Sequence, residues 1–574
     1  MRMLHVQMAV EGDKGTLDVT KFNVGATGEA VVSNVHVYQT DKEASFAENN
    51  VFGSASSVPY VVNGQYTIAD KGTYHFWITY DVKATATIGT AVSAQLNGIT
   101  VSGSDVTPAT AVTASTEVKA GKNGTLIVGQ GQQYATIQSA IDALKEGIDG
   151  PVTINIKKGV YKEHILVPEL PGMSPANTLT IQSESGDYHD VKIYYEIYTE
   201  PKYDGTVKEE DRGVFTFDGA DYTTLRGVEL TTTNLKHPSV VFMRNMSRYV
   251  TIDGCYIHTA MTTTFQQSIK LIYQTARDKA YQNNDYLTVK NCLLEGGYTG
   301  VHLAGTGYVK LPKQIGGVVS GNTFRHQGSK AIYVVREQDV QILNNTIENT
   351  STDKSDFNGI DIDAEGAVRV EGNMIHLATD NYAEGLYVRS INGTATTPAC
   401  IVNNDICVNA KISTTNGIYL KFASSHLAIA YNTIHITGTA KSSALYFDNE
   451  MGEDVNVVNN VLQNEAGGYV YSFKQAKYVK TAKYAHNVLF TTGTVLANDK
   501  SDIKTLAEWK AKSDEADSYN EKVTFLSADV LAPAAKGHLL TAQPLAYVAT
   551  DIEGTARNAS TPTIGAYEYN DAAA

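Results

Sequence analysis

Apolar and polar positions alternate with a period of two along most of this chain. From residue 1 to about 118, runs such as Ala30–Tyr38 (AVVSNVHVY) and Gly72–Val82 (GTYHFWITYDV) are divided by Gly, Asn and Asp. A period of two puts apolar side chains on one face of a strand, and the region is predicted to be a small β-sandwich. Over Gln132–Leu144 the period changes, and Ile137, Ala140, Ile141 and Leu144 fall on one helical face. An amphipathic helix ahead of the strand Val152–Tyr161 is what closes the open end of a solenoid, which would otherwise expose its core.

Beyond that point the chain repeats. Short strands recur at Val214–Asp218, Val240–Arg244, Ser268–Ile272, Gly300–Ala304, Ala331–Val335, Gly359–Asp363, Gly385–Arg389, Gly417–Lys421, Ala444–Asp448 and Val470–Lys474. A second series is centred on Asn291, Asn322, Asn345, Asn373, Asn404, Asn432, Asn460 and Asn487, at spacings of 23 to 31 residues. Strands at this period with no helix between them predict a β-solenoid. Leucine-rich repeats would need a regular Leu frame, and propeller blades about 40 residues each. The order strand, turn, strand, Asn, strand resembles the right-handed parallel β-helix of the pectate-lyase-like superfamily. In that fold stacked Asn side chains satisfy the turn between the second and third strands. The predicted class is therefore all-β: a β-sandwich over 1–118, a junction and cap helix over 119–151, a right-handed parallel β-helix over 152–490, and a C-terminal cap segment and tail over 491–574.

Composition narrows the partners. Net charge is −15, which gives no basic excess to displace counterions from nucleic acid. No apolar run is long enough to span a membrane. Four Cys exclude a disulfide scaffold. Cys255 and Cys292 occupy equivalent places and are expected to stack as free thiols, and no bridge is expected between Cys400 and Cys407. The chain carries 34 Tyr against 15 Phe and 2 Trp, and Tyr suits wet, sugar-facing surfaces. A monomer that takes a polysaccharide or glycan is the expected partnership.

Context comes from resemblance. Asn50–Ser54, Tyr74–Asp81 and Ala84–Ser93, in that order, resemble the N-terminal β-domain attached to secreted bacterial sialidases, an accessory domain. Asp551–Tyr569 resembles the closing motif of secreted β-helix proteins of Gram-negative polysaccharide users, and is expected to cover the last coil. These resemblances imply a secreted or cell-surface protein. Met1–Asp13 lacks the parts of a signal peptide, and Ala572–Ala574 reads as appended sequence, so the chain reads as a piece of a longer secreted protein. Tyr134–Val167 also resembles the start of pectin methylesterases. The later segments that activity needs are missing, however, and the polygalacturonase set is incomplete.

The strand phase then locates candidate chemistry. Ile360 and Ile362 point inward, so Asp361 and Asp363 point outward. One predicted outward column holds Thr216, Phe242, Lys270, His302, Tyr333, Asp361, Tyr387, Tyr419, Tyr446 and Ser472. A second holds Asp218, Arg244, Ile272, Ala304, Val335, Asp363, Arg389, Lys421, Asp448 and Lys474. Asp361 and Asp363 are the candidate catalytic pair, with carboxyls roughly 6–7 Å apart, near the spacing of inverting glycosidases. Arg389 would hold one of them ionised. Lys270, His302, Tyr333, Tyr387, Tyr419, Lys421, Tyr446 and Asp448 are candidate sugar-binding residues. Asp361, Asp363 and Glu365 could instead bind Ca²⁺ through oxygen ligands, the one cofactor the sequence admits. A lyase would take its base from Lys270, His302 or Tyr333. Hydrolase, lyase and non-catalytic adhesin all remain open at this point.

Overall fold

A computed structural model describes residues 1–569 apart from 13–14, 43, 45, 47–49, 84, 197–212, 234–238, 264–268, 277–282, 307–312, 351–355 and 412–413. The chain forms two compact units. One comprises residues 1–124, 143–152 and 170–177, and the other holds the remainder. In the first, Arg2–Val10, Gly72–Val82, Val32–Gln39 and Val51–Ala55 form one antiparallel sheet, in that spatial order. Tyr60–Ile68, Leu17–Thr27, Ala91–Val101 and Ser104–Val106 form another. Inward residues of both, among them Val19, Phe22, Val37, Val62 and Phe76, make one core, with Phe22 and Phe76 rings 5.0 Å apart. This is the expected sandwich.

The second unit is a parallel β-solenoid. The short helix Ile137–Asp142 buries Ile137, Ala140 and Ile141. Each coil then gives one strand to each of three long parallel sheets, so the inward Ile, Leu, Val and Phe side chains of all three form a continuous apolar column. Among the described residues no helix is long and apolar enough to cross a membrane.

The Asn series forms the turn between the second and third strands, with one correction. From Asn322 to Asn460, the backbone N–H and Nδ2 of each Asn donate to Oδ1 of the Asn one coil on, at 2.9–3.1 Å, and Asn487 closes the series on Ser518 and Glu515. Nδ2 also donates back to a carbonyl of the coil before, as Asn432 does to Ile401 at 2.9 Å. Asn291 is not a rung. It is exposed, its Nδ2 bonds Asp253 at 3.0 Å, and its φ is +55°. It holds the left-handed position that precedes each rung, and Cys292 takes the rung itself, donating its N–H to Asn322 at 2.9 Å. Cys255 and Cys292 are buried free thiols, and Cys400 and Cys407 are also free.

The C-terminus also differs from expectation. Helix Leu506–Ser513 supplies the buried Trp509, which packs 4.7 Å from the Tyr471 ring and 5.8 Å from that of Phe473. Glu515–Asn520 pair with the last coil at Ala485, Asn487, Val488 and Leu489, but the tail beyond them, including Asp551–Tyr569, lies elsewhere. It runs back along the outside of the solenoid, where Val523, Leu539, Val548 and Ile564 pack on Val402, Ala430, Tyr431 and Val458. Arg557 lies 3.9 Å over the Tyr431 ring and donates to Asn403 at 2.7 Å. The Tyr567 hydroxyl donates to the buried Asp405 at 2.6 Å. The small and apolar outward positions of these coils give the tail an apolar strip to bury.

Candidate functional site

The first strands stack in register, and most of the expected column is present. Thr216, Phe242, Tyr273, His302, Tyr333, Asp361, Tyr387, Tyr419, Tyr446 and Ser472 are successive partners. Lys270 is the exception. It pairs with Ser239 and Thr299, three residues earlier, and Tyr273 takes the place expected for it. The same shift removes Ile272 from the second column and puts it inside the core. The cause is a bend near the start of each strand, where two successive residues are buried: Gly359–Ile360, Gly385–Leu386 and Gly417–Ile418 in their coils. A Cβ on Gly385 would lie 2.5 Å from the Ile406 side chain, so the bend takes small residues in most coils. Leu271 fills the same place before Ile272 and conceals the phase.

The residue just ahead of the bend points outward again. Lys270, Thr299, Lys330, Asn358, Glu384, Asn416 and Ser443 thus form a further column on this sheet. Sequence reasoning missed Lys330, Asn358, Glu384 and Asn416. The legible signal was a polar residue immediately before Gly or Ala in each coil.

Asp361 is outward but not solvated, since its side chain has 0% exposure. Lys330 Nζ lies 2.5 Å from Oδ2, and Arg389 donates from Nε at 2.7 Å and Nη2 at 3.0 Å. Arg389 reaches it because of a bulge. Ile362 pairs with Val388 but Asp363 with Ser390, so Arg389 is the extra residue and is not opposite Asp363 as expected. Its guanidinium lies 5.3 Å from the Tyr387 ring and 5.5 Å from that of Tyr333. The Asp361 hydrogen bonds raise the Arg389 pKa. Asp363 is half-buried. Burial pushes its carboxyl up, while Lys313, Arg336 and Arg389 pull the other way. Glu365 is ion-paired with Lys313. The three acids are thus divided between different cations, and among the described residues no group of three His, Cys, Asp or Glu is placed to hold a metal ion.

Glu384 is fully buried. Its Oε1 accepts from the Tyr382 hydroxyl and from Asn416 Nδ2 at 3.1 Å. Oε2 has no partner, and neither do Oδ1 of Asn358 and of Asn416 on the adjoining coils. Burial pushes the Glu384 pKa up to about 8. The Tyr382 and Asn416 hydrogen bonds oppose the shift, Asp361 adds to it, and Lys330 opposes it. Beside this group lies a cavity of about 410 Å³ lined by Lys330, Asn358, Tyr382, Tyr387 and Arg389, among others.

The remaining expected residues lie along the same face. Tyr387, Tyr419 and Tyr446 stand on successive coils with rings stacked 5.0 and 4.9 Å apart. Their faces meet one another, so edges and hydroxyls meet the surface. Lys421 and Lys474 pair with Asp448 at 2.9 and 2.8 Å. Burial raises the Asp448 pKa, but hydrogen bonds from Lys474, Lys421 and Tyr419 outweigh it and hold the carboxyl below its usual range. His302 lies between the Tyr273 and Tyr333 rings, at 5.0 and 4.5 Å. Desolvation, with Lys270 and Lys330 nearby, pushes its pKa down to about 3. That makes it a poor base for a lyase, because its conjugate acid is too strong.

Residues 211–388 and 299–482 match the family model described as the right-handed beta helix region. No curated protein sequence matches the chain. Among solved structures, it is similar to the catalytic domain of a GH87 α-1,3-glucanase in complex with tetrasaccharides, at 10% identity and TM-score 0.40, covering 91% of this chain and 90% of that one. It is also similar to the A-module of an Azotobacter vinelandii mannuronan C-5 epimerase, at 14% identity and TM-score 0.40, covering 68% and 95%. A third is the Aspergillus niger pectin methylesterase, at 13% and 0.26, covering 72% and 95%. These likenesses are too distant to carry chemistry from one chain to another. The stacked coils, with the family model matching across residues 211–482, give this chain the right-handed parallel β-helix fold, preceded by a small antiparallel β-domain.

Proposed function

We propose that this is a secreted or cell-surface protein that acts on a polysaccharide and cleaves it on the first-strand face, at the cavity between Lys330 and Arg389. One observation carries the reading. A carboxyl held neutral near physiological pH, Glu384, and an ion-paired carboxylate, Asp361, belong to adjoining coils beside a cavity of cations, amides and phenols. Glycosidic cleavage needs one acid that keeps its proton and one that does not. Asp363, whose carboxyl burial also pushes up, lies on the same face. Tyr382, Tyr387 and Asn358 supply hydrogen bonds to sugar hydroxyls, and Lys330 and Arg389 position the chain.

A second reading rests on the same ion group. Both Asp361 oxygens are engaged by Lys330 and Arg389, as in a structural triad, and the face would then bind a glycan without cleaving it. A polysaccharide panel, read by reducing-end release and by the ultraviolet absorbance of unsaturated uronates, separates the two. Cleavage that Asp363→Asn or Glu384→Gln lowers by orders of magnitude, with binding retained, supports the enzyme. Retention without cleavage, lost when Tyr387, Tyr419 and Tyr446 are all changed to Ala, supports the binder. A panel with neither cleavage nor retention sinks both.

A further inference from the structure

We propose that the outer face of the N-terminal sheet carries a second chemistry: a Ser–His–Asp site, made of Ser54, His36 and Asp81, that hydrolyses acyl esters on a hydroxylated polymer. His36 lies in the middle of Val32–Gln39, between the strands Val51–Ala55 and Gly72–Val82. The register sets it opposite Ser54, and sets Asn34 opposite Asp81. The contacts form one chain. Ser54 Oγ lies 2.6 Å from His36 Nδ1, His36 Nε2 lies 2.9 Å from Asp81 Oδ2, and Asn34 Nδ2 donates to that oxygen at 2.9 Å. Asp81 accepts at Nε2, so the tautomer with hydrogen on Nε2 fits the network and leaves Nδ1 as the base facing the serine. The ring nitrogens are exchanged relative to the usual triad, which is defined by roles rather than by labels. Burial raises the Asp81 pKa, but the His36 and Asn34 hydrogen bonds outweigh it and hold the carboxyl low. It can therefore stabilise an imidazolium.

Two further features point to the substrate. The same face carries a row of rings: Tyr38 is 6.1 Å from His36, Phe46 is 5.6 Å from Tyr38 and 5.7 Å from Trp77, and Trp77 stacks on His5 at 3.8 Å. Tyr38 and Trp77 stand edge-on to Phe46, and an aromatic cluster of this kind beside an exposed serine offers a resting place for a sugar ring. The strand carrying Ser54 is the last of its sheet. A backbone N–H of this strand would be the donor for the oxyanion.

The step balances without a co-reactant other than water. Ser54 Oγ attacks the acyl carbonyl and its proton passes to His36. His36 returns that proton to the leaving alcohol oxygen as the ester C–O bond breaks. Water then attacks the acyl-serine, again through His36, releasing the carboxylic acid and restoring Ser54. The test uses the full chain with a fluorophosphonate probe, p-nitrophenyl acetate and an O-acetylated xylan. The proposal expects the probe on Ser54 by peptide mapping. It also expects hydrolysis lowered on the order of 10²-fold in Ser54→Ala and in His36→Ala, with unchanged melting temperature and with glycan cleavage or retention intact. Labelling elsewhere, or hydrolysis equal in Ser54→Ala and the unaltered protein, overturns the site. Cleavage of the small ester with no acetate released from the xylan overturns the polymer as its substrate. Because the β-helix face is untouched by these variants, failure here leaves the polysaccharide reading standing.

Discussion

The β-helix contains two columns of buried polar side chains that look alike in sequence and differ in what they leave undone. At the Asn turn, each rung accepts twice and donates at least twice, at 2.9–3.1 Å. On the first-strand face, the column through Asn358, Glu384 and Asn416 leaves three buried oxygens without a partner. Its carboxyl is pushed far from its ordinary titration range. A satisfied network stabilises and fixes register. An unsatisfied one costs stability, and proteins tolerate that cost mostly where binding or chemistry takes place.

The sharpest way to break the contrast is at a rung. Asn432→Leu leaves Asn404 N–H without its acceptor and takes one bond each from Asn404 Nδ2, Ile401 C=O and Asn460 Oδ1, while Val370 C=O still pairs Asn404 Nδ2 and the backbone N–H of residue 432 still pairs Asn460 Oδ1. At about 1–3 kcal/mol for the buried group left unpaired and about 0.5–1.5 kcal/mol for each further bond lost, the loss should exceed about 2 kcal/mol by denaturant titration. Asn416→Leu, in the other column, should cost much less, and equal losses would erase the distinction.

Asp361 and Asp363 come next. Asp361→Asn removes the carboxylate that both Lys330 and Arg389 hold, at zero exposure, and should cost about 3–5 kcal/mol. Asp363→Asn replaces an acid whose charge burial already disfavours, and its midpoint should stay the same or rise. Matching losses would make the pair one structural unit.

Glu384 makes the contrast depend on pH. Its pKa is raised from 4.5 to about 8, so the folded protein keeps a proton that the unfolded chain has lost in that window. Stability should therefore fall as pH rises from about 4.5 to about 8 and level off above that, by a few kcal/mol at most. Glu384→Gln should flatten this slope in denaturation midpoints measured across the range, and a slope that survives the change assigns it to other groups.

The smallest effect belongs to the ring stack. Tyr419→Leu deletes two stacked pairs at about 0.5–1.5 kcal/mol each. A loss near the sum, with any glycan retention intact, would mark the tyrosines as structural. A loss of retention at small stability cost would mark their hydroxyl edges as contacts.

Much of this was readable because a solenoid repeats its errors as well as its rules. The Asn period identified the turn, and the inward Ile360 and Ile362 identified the phase of their strand. What failed was local backbone geometry. The bend that buries both Leu271 and Ile272 displaced Lys270 by three positions, and the bulge at Arg389 moved it from Asp363 to Asp361. The bend's usual small residue is replaced by Leu at 271, and the bulge has no side-chain signature of its own. Glu384 was hidden differently: alternation counted from Gly385 ends one residue too late, and burial of a carboxyl is invisible without its neighbours.

The returning tail changes how the coils depend on one another. In a linear array each coil touches only its neighbours, so melting starts at an end and proceeds coil by coil. Arg557 bonds Asn403 across 154 residues, and Gln543 bonds Tyr431 and Asn459. The terminal segment therefore acts as a splint laid across several coils. A coil in that stretch cannot peel away until the splint lifts, and once it lifts several are released together. The coils from 403 to 487 should behave as one cooperative block, more like a globular domain than a row of repeats.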